Sequence, residues 1–350
     1  MPREPAAPPS TAGAVVTYVI RRLITAVLLL LLITAVVFAI FFLVPRLAGA
    51  TPDSLATRYV GRAAGPQQIH EVAVRLGLTD PIYVQYGRFV KGLVAGTTYF
   101  TGTEDVSCPA PCLGYSFITQ NPVLPDILDR LPVTISLALG AAILWLVGGV
   151  SAGVISALRR GSIIDRGVMA VALAGVSLPI FFTGLLSLSI FSYGLGWFPG
   201  GGTYVPFQVN PAEWAYHLIL PWVTLAFLYA ATYARLTRAG MLETMHEDYV
   251  RTARAKGLPE RTVVRRHVMR ATMTPIVTIF GLDLGLLLGG AILTESTFSL
   301  PGIGKYTVDA VQANDLPKVL GVTLVASIFI ILANLIVDIV YAVIDPRVTL

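Results

Sequence analysis

The chain has 350 residues, 55% of them hydrophobic and only 13% charged, with a formal net charge of +5. Soluble domains carry about a quarter charged residues, so the length that would allow two soluble domains describes a membrane protein instead. The basic residues lie between apolar runs, a pattern of membrane topology and not of a nucleic-acid-binding surface; no nucleic-acid partner is expected.

Residues 1–17 are rich in Pro and Ala, lack an apolar period and read as a disordered cytoplasmic tail. Residues 18–44 hold the first span, with Leu23–Val44 free of charge behind Arg21 and Arg22; a transmembrane helix needs about 20 residues. The run is too long for a signal-peptide core, and no small-residue cleavage site follows it. Residues 45–130 form the longest polar stretch and read as a folded external lobe, with one helix starting at Pro66 and another at Pro81. Cys108 and Cys112 lie in it. They are too few for a disulfide framework, but outside the cytoplasm they can pair; two reduced thiols are the other reading.

Residues 131–346 supply five further spans: Leu131–Leu158, Gly167 to about Gly194, Trp214–Ala234, Ala271–Thr294 and Val319–Val337. The fold class is therefore all-α, a polytopic membrane protein with six transmembrane helices. With the N-terminus inside, 16 of the 25 Lys and Arg residues fall in inner segments, so both termini are expected in the cytoplasm and the long lobe outside. The inner loop at 245–270 is the most basic. In it Tyr249, Val250 and Ala253 share a helical face with Arg251 and Arg254 on the flank, Gly257 can end that helix in the left-handed conformation, and Pro259 can sit in the first turn of a second short helix. Arg251, Arg254 and Lys256 could bind anionic lipid headgroups, but the interleaved small and apolar residues suit a protein groove.

Other chemistry is poorly supported. Gly304-Lys305 is followed by Tyr306, and Ser299 stands where a phosphate-binding loop needs its first Gly. His246-Glu247 lacks the second His of a zinc protease helix. The serines of the spans have no base near them in sequence and suit helix packing. Asp283, near the middle of the fifth span, is the exception, since a carboxylate there costs about 2.5–3.5 kcal/mol on insertion scales. Two readings stand: a protonated or paired structural carboxylate, or a pathway residue that meets a peptide amine. An ion-coupled secondary transporter using Asp283 is the alternative function, but it should bring paired intramembrane charges or half-to-half symmetry.

The inner loop also carries a resemblance. Asp248-Tyr249-Val250-Arg251-Thr252-Ala253-Arg254-Ala255-Lys256-Gly257-Leu258 resembles the cytoplasmic coupling loop of ATP-binding-cassette importer permeases, in the form used by dipeptide, oligopeptide and nickel permeases. Ala253 and Gly257 match the second Ala and the Gly of the general motif, whereas Arg251, Thr252, His267, Met269 and Arg270 depart from it. Tyr18 to Leu23, Arg75 to Pro81, Gly161 to Arg166, Ser177 to Phe181 and Glu295 to Gly304 extend the similarity to B-type subunits over nearly all of residues 17–346. The resemblance implies a type I importer permease fold and a peptide-importing function. It also implies ATPase coupling through Tyr249, Ala253, Arg254, Gly257 and Pro259, and an outer gate shaped by Glu295, Pro301, Gly302 and Gly304. The implied partners are a second homologous permease, two ATPase subunits that bind ATP and magnesium, an external substrate-binding protein and the lipid of a bacterial plasma membrane. This chain itself would be no enzyme and hold no cofactor. The solute is not legible.

Overall fold

A computed structural model describes residues 11–60, 65–100 and 105–344. The first ten residues of the tail expected at 1–17 and the final residues 345–350 lie outside the described residues. Among the described residues five helices are long and apolar enough to cross a membrane, and a bent pair, counted as one span, makes six.

The first span is α1 (Thr11–Phe38), a π-helical turn at Ala39–Leu43 and α2 (Val44–Leu47). It begins within the 1–17 stretch read as disordered. The π turn stacks Phe38 on Phe42 with ring centroids 4.6 Å apart. The lobe follows as α3 (Pro52–Val60), α4 (Pro66–Arg75), α5 (Ile82–Ala95), β1 (Thr97–Phe100), β2 (Asp105–Cys108), β3 (Tyr115–Ser116) and β4 (Asn121–Pro122). The two small antiparallel pairs, β1–β2 and β3–β4, are absent from the all-α expectation because strands of two to four residues are too short to show a period. Cys108 and Cys112 are joined by a disulfide with Cα atoms 5.5 Å apart.

The lobe packs on the first span through Val37, Phe38, Phe42, Leu55, Ala56, Tyr59, Ala73 and Leu78. It is tied to the last helix by Ser116, whose hydroxyl donates to the buried Asp315. Lys318 lies 3.3 Å from the same carboxylate.

The core is α6 (Val123–Leu158), α7 (Ile163–Ser177), α8 (Ile180–Ser187) running into a π segment at Leu188–Gly194, α9 (Pro211–Thr244), α10 (Asp248–Ala255), α11 (Glu260–Thr262), a π segment at Val263–Val268, α12 (Met269–Leu288), α13 (Ile292–Thr297), α14 (Ile303–Ala313) and α15 (Leu316–Ile344). Helix α6 starts at Val123, so the lobe ends eight residues before the expected 130. The third span is not straight: α7 and the α8 segment meet at 104°. Pro179 lacks an N–H and forces Leu178 into an extended conformation, φ −88° and ψ 128°. The fifth span also ends early. Helix α12 stops at Leu288, Gly290 turns the chain at φ +127°, and Glu295 sits on the separate α13.

The backbones of α6 and α9 approach closely. Gly149 and Gly153, one helical turn apart, face Ala230, Tyr233, Ala234 and Thr237; a Cβ at Gly149 would lie 2.8 Å from the Ala230 carbonyl oxygen, and one at Gly153 would lie 2.6 Å from that of Ala234. Lipid tails are as apolar as the side chains, so helices in a membrane are held by such close packing and not by expulsion of water. Substituting Gly149 or Gly153 with Leu is expected to destabilise the protein by about 1–3 kcal/mol, the usual cost of overpacking. Gly148→Leu, where a Cβ meets nothing within 4 Å, should leave the thermal midpoint of the detergent-purified chain unchanged. Equal midpoints for Gly148→Leu and Gly149→Leu would refute this account of the interface.

Candidate functional site

The inner loop forms a capped, projecting corner. Helix α9 runs on past its apolar stretch to Thr244, and α10 then lies across the inner end of the bundle. Val250 and Ala253 are its buried side, packed with Ala157 of α6, Met241 of α9, and Val263 and Val268. Tyr249 and Arg251 are on the exposed side. Ala253 therefore serves the chain's own packing and not the outer face on which the sequence placed it together with Tyr249. The eight-residue helix has one apolar side, and the bundle claims it.

Gly257 ends α10 at φ +74°. Its N–H donates to the Arg254 carbonyl at 2.9 Å, and the Leu258 N–H donates to that of Ala253 at 3.4 Å, the paired bonds of a Schellman cap. No atom lies within 4 Å of a Cβ built on Gly257, so that side of the corner is open. Arg254 closes the corner from below: its guanidinium donates to both Glu260 oxygens at 2.7 and 3.1 Å and to the Met245 carbonyl at 3.2 Å. The bonds to Glu260 push the Arg254 pKa further up, so it stays charged. Partial burial, with the Glu247 carboxylate adding to it, raises the Tyr249 phenol, which stays neutral. Pro259 takes the cap position before α11, φ −60° and ψ 140°, not the first turn. No separate second helix forms either, because α11 and its π segment run on into α12 as one continuous span, Glu260–Leu288.

A second cluster lies beside this corner, and the sequence pattern did not reveal it. Asp165, in the first turn of α7, is buried. It accepts from the Ser156 hydroxyl, from the Gly161 N–H at 2.8 Å, and from Arg238 Nε and Nη2 at 2.7 and 3.0 Å. Its own N–H donates to the Ser162 hydroxyl at 3.2 Å. Ser162-x-x-Asp165 is the spacing of a helix cap, which is the one local signal of the cluster.

In the bundle, Asp283 accepts a 2.8 Å hydrogen bond from Tyr233 of α9. No cation pairs with it among the described residues. Tyr229, one turn from Tyr233, stacks on the buried Trp145 with centroids 4.7 Å apart.

At the outer end, Glu295 is fully buried and does more than close a loop. Its carboxylate accepts from Thr134 Oγ1 at 2.8 Å and from the Lys305 N–H at 3.0 Å, while the Ile303 N–H donates to Thr134 at 2.9 Å. An acid thus caps the positive end of α14. Gly302 and Gly304 make room for it: a Cβ at Gly302 would fall on the carboxyl group, and one at Gly304 would lie 2.7 Å from the Ile292 Cα. Pro301 precedes this turn. The chain thus gathers three of the four expected outer-end residues around one carboxylate.

The fold defines a class: a polytopic helical membrane protein with a preformed helical corner between its fourth and fifth spans. Residues 149–350 match the binding-protein-dependent transport system inner membrane component family, and residues 15–138 match its N-terminal part. The chain belongs to this family; it is an ABC-importer permease component of an inner membrane, with the type I importer permease architecture. Such components work with ATPase and substrate-binding partners. A Pseudomonas aeruginosa (strain UCBPP-PA14) protein named as a di/tripeptide transport system permease is 39% identical over 332 residues, covering 89% of this chain and 93% of that protein. The dipeptide transport system permease of Alkalihalophilus pseudofirmus is 37% identical, covering 88% and 97%. The glutathione transport system permease of Escherichia coli O6:H1 is 36% identical, covering 89% and 94%. A solved inward-facing structure of the MetNI methionine ABC transporter aligns with a TM-score of 0.49 at 17% identity, over 63% of this chain and 97% of that one.

The outer-end arrangement has a direct consequence. Glu295→Gln replaces one acceptor with a donor that faces another donor, and a buried group left unpaired costs about 1–3 kcal/mol. Its thermal midpoint in detergent should fall, and Gly302→Ala, which displaces the same carboxylate, should lower it similarly. The double variant should fall by less than the sum, since both changes break one cluster. Strict additivity would show that Gly302 is not there for the carboxylate.

Proposed function

We propose that this chain is one half of the translocation pore of an ATP-driven peptide importer. A homologous second permease supplies the other half. Two ATPase subunits, which bind ATP and magnesium, dock on the inner face at the α10–Gly257–Pro259 corner. An external binding protein delivers the solute to the lobe side. Closure of the ATPase dimer moves the corner, and alternating access follows. The observation that carries this reading is the corner itself. Helix α10 is anchored by Val250 and Ala253 on one side, ended by a Schellman cap, and stiffened by the Arg254–Glu260 pair. Tyr249 and Leu258 remain exposed on it. A lipid-binding loop needs charge alone; exposed apolar groups on a rigid frame suit a protein groove.

Peptides are the proposed solute class because relatives at 36–39% identity are named for peptide, di/tripeptide and glutathione transport. In this reading Asp283 lines the pathway, where its carboxylate suits a peptide amine. The Glu295 cluster with Pro301, Gly302 and Gly304 shapes the outer gate. Ion coupling through Asp283 has less support: its hydrogen-bond partner is a neutral phenol, and a proton or ion relay is built from paired intramembrane charges.

The docking reading is tested at Gly257. Valine is disfavoured at positive φ, whereas asparagine is tolerated there. Gly257→Val should be expressed and inserted yet fail to retain the ATPase subunits on purification, while Gly257→Asn retains them. Tyr249→Ala should weaken retention without unfolding the loop, since its side chain is exposed. Full retention by both Gly257→Val and Tyr249→Ala would leave the corner without a docking role.

The proposed orientation places both termini inside. In a chain with Cys108 and Cys112 replaced by Ser, Val94→Cys should react with an impermeant maleimide in intact cells. Arg251→Cys should react only after permeabilisation, and the reverse pattern would invert the assignment.

A further inference from the structure

Ser156, Gly161, Asp165 and Arg238 lie off the proposed docking face, yet they join three elements at one point. Asp165 belongs to α7, Ser156 and Gly161 to the end of α6 and the turn after it, and Arg238 to α9. We propose that the Asp165–Arg238 clamp is a positioning device that makes α7, the inner half of the bent span, move with the coupling corner. The proposal rests on the reading of α10 as the ATPase-docking helix.

The helix ends that hold Asp165 are the same ends that hold α10. Ser156 precedes Ala157, and Ala157 packs with Val250 and Ala253. Arg238 lies one turn before Met241 on α9, and Met241 is fully buried in that same cluster. Packed interiors barely compress, so a displacement of α10 reaches the ends of α6 and α9 directly. It reaches α7 through Asp165. The guanidinium grips the carboxylate through two nitrogens, which fixes orientation as well as distance.

Beyond the clamp, α7 is held to α9 by packing and not by side-chain hydrogen bonds among the described residues. Its far end is the 104° break at Leu178–Pro179. Along its length it meets α9 through apolar groups: a Cβ at Gly175 would lie 2.8 Å from the Ala231 Cβ and 3.1 Å from the Phe227 carbonyl oxygen. Such a surface gives close contact without directional bonds. A rod hinged at one end and clamped at the other follows the clamp. On the side of α7 opposite Gly175, Leu173 is exposed on this chain.

The test uses the complete complex with its ATPase subunits, carrying spin labels at Val171→Cys on α7 and Arg251→Cys on α10, with Cys108 and Cys112 replaced by Ser. In the otherwise unchanged complex the distance between labels should stay the same, and narrowly distributed, with and without ATP–vanadate trapping. With Asp165→Asn or Arg238→Gln the ATPase subunits should still co-purify, but trapping should shift or broaden the distance by several ångströms. Arg238→Lys, which keeps the charge but not the two-nitrogen grip, should fall between. A purely stabilising pair would lower the thermal midpoint without making the distance depend on trapping. The proposal is overturned if the distance changes on trapping in the unchanged complex, or if it stays fixed in both clamp variants. It is also overturned if Asp165→Asn loses the ATPase subunits, because the pair would then hold the docking corner itself. Failure of the docking reading shows separately, as normal ATPase retention by both Gly257→Val and Tyr249→Ala with the clamp intact.

Discussion

The close approach of α6 and α9 is the constraint on which the rest of this chain depends. Within a bilayer no water is released when apolar helices meet, so contact must come from geometry. Gly149 and Gly153 supply it by letting the two backbones approach until a methyl group would not fit. Each feature of interest is then placed by one of these two helices. Tyr233, which holds Asp283, faces Gly149 on α9. Thr134, which holds Glu295, is on α6. Ala157 and Met241, which seat the α10 corner, are near the C-terminal ends of the pair.

Two carboxylates mark the ends of this frame and use the same physics. Glu295 and Asp165 are each buried, and each collects donors from elements far apart in sequence. A buried acid is costly unless its lone pairs are filled. Filling them requires the contributing elements to stay in register, so each acid reports the correct assembly of its end. The difference lies in the donors. Glu295 is met by a hydroxyl and backbone N–H groups at the start of α14, a neutral arrangement that fixes a turn. Asp165 is met by a guanidinium through two nitrogens, a charged arrangement that ties α7 to α9.

The spans were legible in the sequence because a charge-free run of membrane length is stable in a bilayer and hard to bury anywhere else. Their breaks were not. Pro179 was in view, but a proline within an apolar run leaves hydropathy unchanged, and only the backbone reveals the 104° bend. Gly289 and Gly290 likewise read as part of an apolar run while ending α12. The inner corner was legible in its cap, since Gly257 before Leu258-Pro259 has a specific backbone meaning. It was not legible in its facing. Tyr249, Val250 and Ala253 looked like one surface, but which side a short helix buries depends on the bundle beneath it. Asp165 and Arg238 were visible only as charges at span ends, because a bond across 73 residues leaves no local pattern.

The facing of α10 changes the meaning of its composition. Had Ala253 pointed outward, a partner would meet a helix held only by its ends, and docking could deform it. With Val250 and Ala253 turned in, a push on Tyr249 is delivered through the helix to Ala157 and Met241. The Arg254–Glu260 bonds stop the corner from folding away under that push, because they join α10 to the start of the fifth span across the Gly257 turn. The basic character of the loop therefore divides by task. Arg254 is committed to holding the corner's shape, and Arg238, seven residues before Met245, is committed to Asp165. Arg251 and Lys256, with Arg261, Arg265, Arg266 and Arg270 beyond the turn, are the other exposed basic residues of the loop.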